Sequence, residues 1–129
     1  MKEIIGNLLK KENVRQNLSS LRQEIKDENA LAEALKLLAG EDELLVSFMG
    51  ADDAKTRKNA ALLIGDLHMS QLSDEVFKVY EAEQMRFVKG SYLAALSQLD
   101  CKELLPQLME RAKELEHMLS LIHISEPTR

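Results

Sequence analysis

Apolar residues fall along this chain at the three- and four-residue spacing of one helix face, and the pattern recurs as a block. In Thr56–Leu67 the face is Ala60, Leu63, Ile64 and Leu67. Shifted by 32 residues, the stretch lands on Val88–Leu99, where the matching positions are Tyr92, Ala95, Leu96 and Leu99 and where Lys89 stands for Arg57. A fainter copy at Val14–Leu21 carries Arg15 and Asn17 in place of Arg57 and Asn59, and its face continues to Ile25. The same shift lays Asp42–Leu45 over Asp74–Phe77 and Phe48 over Tyr80, so both helices of a pair repeat. Self-similarity of this kind predicts an all-α chain, a short α-solenoid of antiparallel helical hairpins with about seven to eight helices.

Ile4, Ile5, Leu8 and Leu9 share a stripe and predict a first helix over 2–11, ended by Lys10 and Lys11, whose charges suit a C-terminus. Asn13 is placed to cap a second helix over 14–26. It turns Val14, Leu18, Leu21 and Ile25 inward and Arg15, Gln16, Arg22, Gln23 and Lys26 toward water. Asp27 or Asn29 starts a third, with Leu31, Ala34, Leu35 and Leu38 as its apolar face and Gly40 as its stop. This helix, around 28–39, interrupts the repeat between its first two copies. A fourth runs from Glu41 or Asp42 to Met49, and Asp52 or Asp53 accepts from free N–H groups of the helix after it. Ser73 is the expected cap before Asp74. Pro106, 32 residues beyond Asp74, suits the first position of a further helix that opens at Leu105. That helix is expected to turn Leu108, Met109, Ala112 and Leu115 inward.

Composition narrows the picture. Hydrophobic residues are 45%, charged residues 30% and aromatic residues 4% with no Trp, so Leu, Ala, Ile and Met must fill a helical interior. A net charge of −5 disfavours nucleic acid and anionic membranes unless a local basic patch overrides it. The lone Cys101 cannot form an internal disulfide, and with no signal-peptide core at the start the expected location is cytoplasmic. No apolar run reaches membrane-spanning length, so no membrane partner is expected.

Read back into codons, Leu119–Arg129 resembles a transposase mosaic end running into a sequencing adapter. The expectation is a helical-repeat domain over 1–118, a non-native tail over 119–129, and a natural protein that continues further.

The run Asp52-Asp53-Ala54-Lys55-Thr56-Arg57-Lys58-Asn59-Ala60-Ala61-Leu62-Leu63-Ile64-Gly65 resembles the HEAT repeat, with an aspartate-bearing turn, a cation and an Ala/Leu-rich second helix. The resemblance covers 1–118, is strongest over 42–99, and has a shorter spacing than most HEAT repeats. It implies a surface that binds a protein partner or a downstream domain of the same chain. Asn13–Leu18, Lys55–Leu63 and Phe87–Leu93 are also similar to the N-terminal helical repeats of some bacterial RNA methyltransferases that use S-adenosylmethionine. That likeness implies a catalytic domain beyond Met118.

Arg15, Arg57 and Lys89 hold one repeat position and are the candidate site residues. As a row, with Lys55, Lys58 and Arg86 beside it, they could hold phosphates. Alternatively each pairs with a turn acid such as Asp52, Asp53 or Glu83 in a ladder between repeats, and the acidic balance and lack of aromatic platforms favour this reading. His68 and His117 lack partners at metal-ligand spacing, and Cys101 lacks a nearby base. The residues therefore point to no catalytic residue, metal or cofactor, and nucleic acid is a less favoured partner than protein.

Overall fold

A computed structural model of the chain describes residues 1–99 together with Pro106, Met109 and Glu110. These contain seven α-helices and no strand: α1 (Lys2–Leu9), α2 (Val14–Glu24), α3 (Glu28–Leu37), α4 (Asp42–Phe48), α5 (Ala54–Asp66), α6 (Ser73–Ala82) and α7 (Arg86–Ser97). A single 3-10 turn, Ser70–Leu72, leads into α6. The chain is all-α, as the helical spacing predicts.

Three hairpins are made by α1 on α2, α4 on α5 and α6 on α7, and α5 lies between α2 and α7. The predicted shared face is the interior: Ala60, Leu63, Ile64, Leu67, Tyr92, Ala95, Leu96 and Leu99 are all buried. Full burial of a Leu or Ile side chain is worth about 2 kcal/mol, so this repeated face outweighs the weak intrinsic preference of any one helix. The axes of α5 and α7 approach closely at Gly65, where an added Cβ would lie 2.9 Å from the Ala95 Cα. Only a residue without a side chain permits that approach.

Helix ends follow local chemistry. Asp27 caps α3 by accepting from Ala30 N–H, and Asp53 caps α5 by accepting from Thr56 N–H. After α5, His68 takes a left-handed conformation at φ 53°. There His68 N–H bonds Gly65 C=O and Met69 N–H bonds Ile64 C=O, a pair of bonds that satisfies the last carbonyls. Gly40, at φ 83°, lies two residues beyond Leu38, the C-cap of α3.

Several expectations are corrected. Asn13 occupies the N-cap of α2, but its side chain caps nothing; with φ at 44° it offers its carbonyl to Asn17 instead. Ser73 is the first residue of α6, and its hydroxyl donates back to Ser70 C=O, because the 3-10 turn already supplies the entry. Leu9 (44% exposed) and Leu35 (39%) are exposed, and the buried positions of α1 and α3 are taken by Ile5, Leu8 and Ala34. Arg22, expected to face water, is 32% exposed and bridged to Asp66 at 2.7 Å. Helical Met109 is exposed. The expectations for Cys101, Leu108, Ala112, Leu115, His117 and the tail lie outside the described residues.

Candidate functional site

The second helices place their early cations at one edge of the molecule, beside the turns that join each pair. Arg15, in the first turn of α2, reaches forward to Asp53 at 3.5 Å. Asp53 also accepts from the Thr56 hydroxyl at 2.8 Å and the Thr56 N–H at 3.0 Å. These bonds from Thr56, with the nearby charges of Arg15 and Lys55, hold its carboxyl below the ordinary value.

One repeat further, Arg57 makes the corresponding forward contact in a stronger form. Its Nε and Nη2 donate to the two oxygens of Glu83, both at 3.0 Å, and the guanidinium and carboxylate are 17% and 6% exposed. Its Nη1 donates to Ala51 C=O at 2.9 Å and Asp52 C=O at 3.0 Å, so one guanidinium ties the turn behind it to the turn ahead. A planar fork suits this task where an ammonium would not. Glu83 also accepts from Met85 N–H at 3.2 Å and from the Tyr92 hydroxyl at 3.3 Å. Burial pushes the Glu83 carboxyl up, but the Arg57 bonds, the Met85 N–H and the Tyr92 hydroxyl outweigh it, and the group lies below its ordinary value. Tyr92 moves the other way: burial and then the Glu83 charge push its hydroxyl up to about 12.

Lys89, the third member, makes no ion pair with a described residue. Its ammonium lies 4.4 Å from the centre of the Tyr80 ring, a cation–π contact. The three predicted residues thus make different contacts: two ion pairs and one aromatic face. Arg15 and Arg57 are engaged between hairpins, as the ladder reading expects, and Lys89 rests on an aromatic face.

The opposite ends of the second helices carry ties with no clear mark in the sequence. Arg22 Nε donates to Asp66 at 2.7 Å, linking α2 to α5, and His68 Nδ1 lies 3.1 Å from Gln98 C=O, linking α5 to α7. The Gly65–Ala95 approach was also missed; its one visible signal is a glycine inside an otherwise strong helical pattern.

Between the two turns lies an open cleft of about 420 Å³, bounded by residues such as Met49, Asp52, Val79, Ala82 and Met85 with Arg57, Glu83 and Tyr92 beside them. Met85, on its lining, is 42% exposed, and Phe87, two residues further along the chain, is 50% exposed. Among the described residues no group of His, Cys, Asp and Glu is placed to hold a metal ion, and no helix is long and apolar enough to cross a membrane. Comparison with protein-family models, curated proteins and solved structures returns no match.

Proposed function

We propose that the chain is a helical-repeat interaction module: a HEAT-like α-solenoid that presents a surface to a protein partner or an accompanying domain and does no chemistry of its own. The observation that supports this most is the forward ladder, in which Arg15 reaches Asp53 and Arg57 reaches Glu83. Cations that could have formed a phosphate-binding row are instead spent on the register between hairpins. Such bonds do little for catalysis and much for a fixed scaffold, because they hold adjacent turns at one spacing and keep the exposed surface in a single shape.

The test is affinity purification of the tagged protein from its source cells, with in-cell cross-linking. The wild type is compared with Lys55→Glu/Arg86→Glu at the turn edge and Leu35→Asp on α3. A protein recovered in stoichiometric amount, and lost with one of these surface variants while the fold is retained, is the expected result. The reading is overturned if no protein is recovered and labelled RNA binds tightly at physiological salt, with loss on neutralising Arg15, Arg57 and Lys89 in a folded protein.

A further inference from the structure

We propose that the edge formed by the α4–α5 and α6–α7 turns binds an acidic peptide segment carrying one apolar anchor side chain. This partner class rests on the interaction-module reading and makes it specific.

The first two turns of the three second helices, 14–21, 54–61 and 86–93, contain cations and no carboxylate. On a chain of net charge −5 this segregation gives one cationic edge. The ladder engages Arg15 and Arg57, and Lys89 lies over Tyr80. Lys55, Lys58 and Arg86 make no ion pair with a described residue. Of the acids in the three turns, Asp53 and Glu83 are already bridged, which leaves Glu12 and Asp52 against Lys55, Lys58 and Arg86. Positive charge at this edge is thus available to a partner, and the attraction acts at long range to bring an acidic segment in.

Apolar chemistry adjoins it. Arg86 is flanked by the exposed Met85 and Phe87, and Met85 also lines the cleft, whose other apolar walls are Met49, Val79 and Ala82. Arg57 and Glu83 neutralise each other within the cleft, so Asp52 is the one uncompensated charge on its lining, and the cations Lys55, Lys58 and Arg86 lie outside that lining. Its volume of about 420 Å³ admits a leucine or phenylalanine side chain. A methionine wall adapts to either shape. Nucleic acid fits less well. The overall charge repels it, and the concavity between the turns is walled largely by aliphatic and methionine side chains rather than by a series of rings.

The experiment is fluorescence anisotropy of the full chain with a short labelled peptide of glutamates surrounding a single phenylalanine. Three probes accompany it: the same peptide with alanine for phenylalanine, one with lysine for glutamate, and a uridine oligomer. Saturable binding of the first peptide is expected, weakening as salt rises. Replacing its phenylalanine should cost about tenfold in affinity, and Lys55→Glu/Arg86→Glu should also cost about tenfold with an unchanged melting temperature. The proposal is overturned by absence of binding, by binding that survives the charge reversal, or by tighter binding of the lysine peptide or the uridine oligomer. If a cellular partner is retained by the charge-reversed variant and lost with Leu35→Asp, this site is wrong while the module reading stands.

Discussion

Gly65 on α5 and Ala95 on α7 approach so closely that a Cβ at position 65 would meet the Ala95 Cα at 2.9 Å, its carbonyl oxygen at 3.1 Å and its Cβ at 3.3 Å. Two of those three atoms are backbone, so the helices themselves must separate to admit a methyl group. Gly65→Ala gains helix propensity but is expected to lose about 1–3 kcal/mol net through overpacking. Adding Ala95→Gly removes only the 3.3 Å contact and should not restore stability. Full recovery in the double variant, measured by urea unfolding, would show that the backbones are farther apart.

The same interface predicts a contrast between two leucines. Leu96 is fully buried, and Leu35 is 39% exposed although both lie at helix-face positions. Leu96→Ala should cost about 2–5 kcal/mol, as cavity-forming truncations in a core do. Leu35→Ala should cost far less. Equal losses in thermal unfolding would contradict the placement of α3.

Breaking the Arg57–Glu83 bridge from one side leaves a carboxylate buried without its partner. Arg57→Met is expected to destabilise by about 3 kcal/mol, and it also frees the Ala51 and Asp52 carbonyls. Arg57→Met combined with Glu83→Leu removes both charges and should recover much of the loss. A double variant as unstable as the single one would mean that the carbonyl bonds, not the charge pair, carry the effect.

How far the chain could be read in advance depended on whether local and repeat periods agreed. For Leu63, Ile64, Leu67, Leu96 and Leu99 the helical spacing and the 32-residue shift select the same positions, and all are buried. Leu9 and Leu35 satisfy the helical spacing alone, and that spacing does not say whether a neighbour covers the face. Arg57 was readable as a ladder cation because Arg15 and Lys89 hold the same repeat position and acids stand in the turns at Asp52, Asp53 and Glu83. Arg22 and Asp66 were not, since neither has a charged counterpart of the same kind in the next repeat. Their pairing depends on how α2 and α5 are rotated, which no single helix encodes. The Ser73 expectation failed for a local reason: the three residues before α6 form a 3-10 turn that satisfies the entry without a side-chain cap.

Acid should weaken the bridge in a defined window. The folded-state pKa of Glu83 is depressed, so its stabilising contribution is present above the unfolded value of about 4.3 and is lost as pH falls through the lower folded value. Glu83→Gln removes this titration. The stability difference between wild type and Glu83→Gln, from denaturant midpoints, should be constant from neutral pH to about 5 and shrink below it. A difference that grows in acid would reverse the sign of the shift.

Tyr92 makes the opposite prediction at the alkaline end. Burial and the adjacent Glu83 carboxylate raise its pKa to about 12, against 10.0 for an unperturbed tyrosine. Between those values the unfolded chain releases the phenolic proton while the folded chain holds it. The contribution of Tyr92 is therefore present below about pH 10 and is lost as pH rises through the folded value. Lysines titrate in the same range and affect the wild type and a Tyr92→Phe variant alike, so the difference between the two isolates the phenol. That difference should be flat to about pH 10 and then fall, with Tyr92→Phe becoming relatively more stable as alkali is added. Ultraviolet titration of the folded wild type should show one of its two tyrosines ionising late. If Tyr92→Phe follows the wild type throughout, the hydroxyl is open to water and the Glu83–Tyr92 contact does not form.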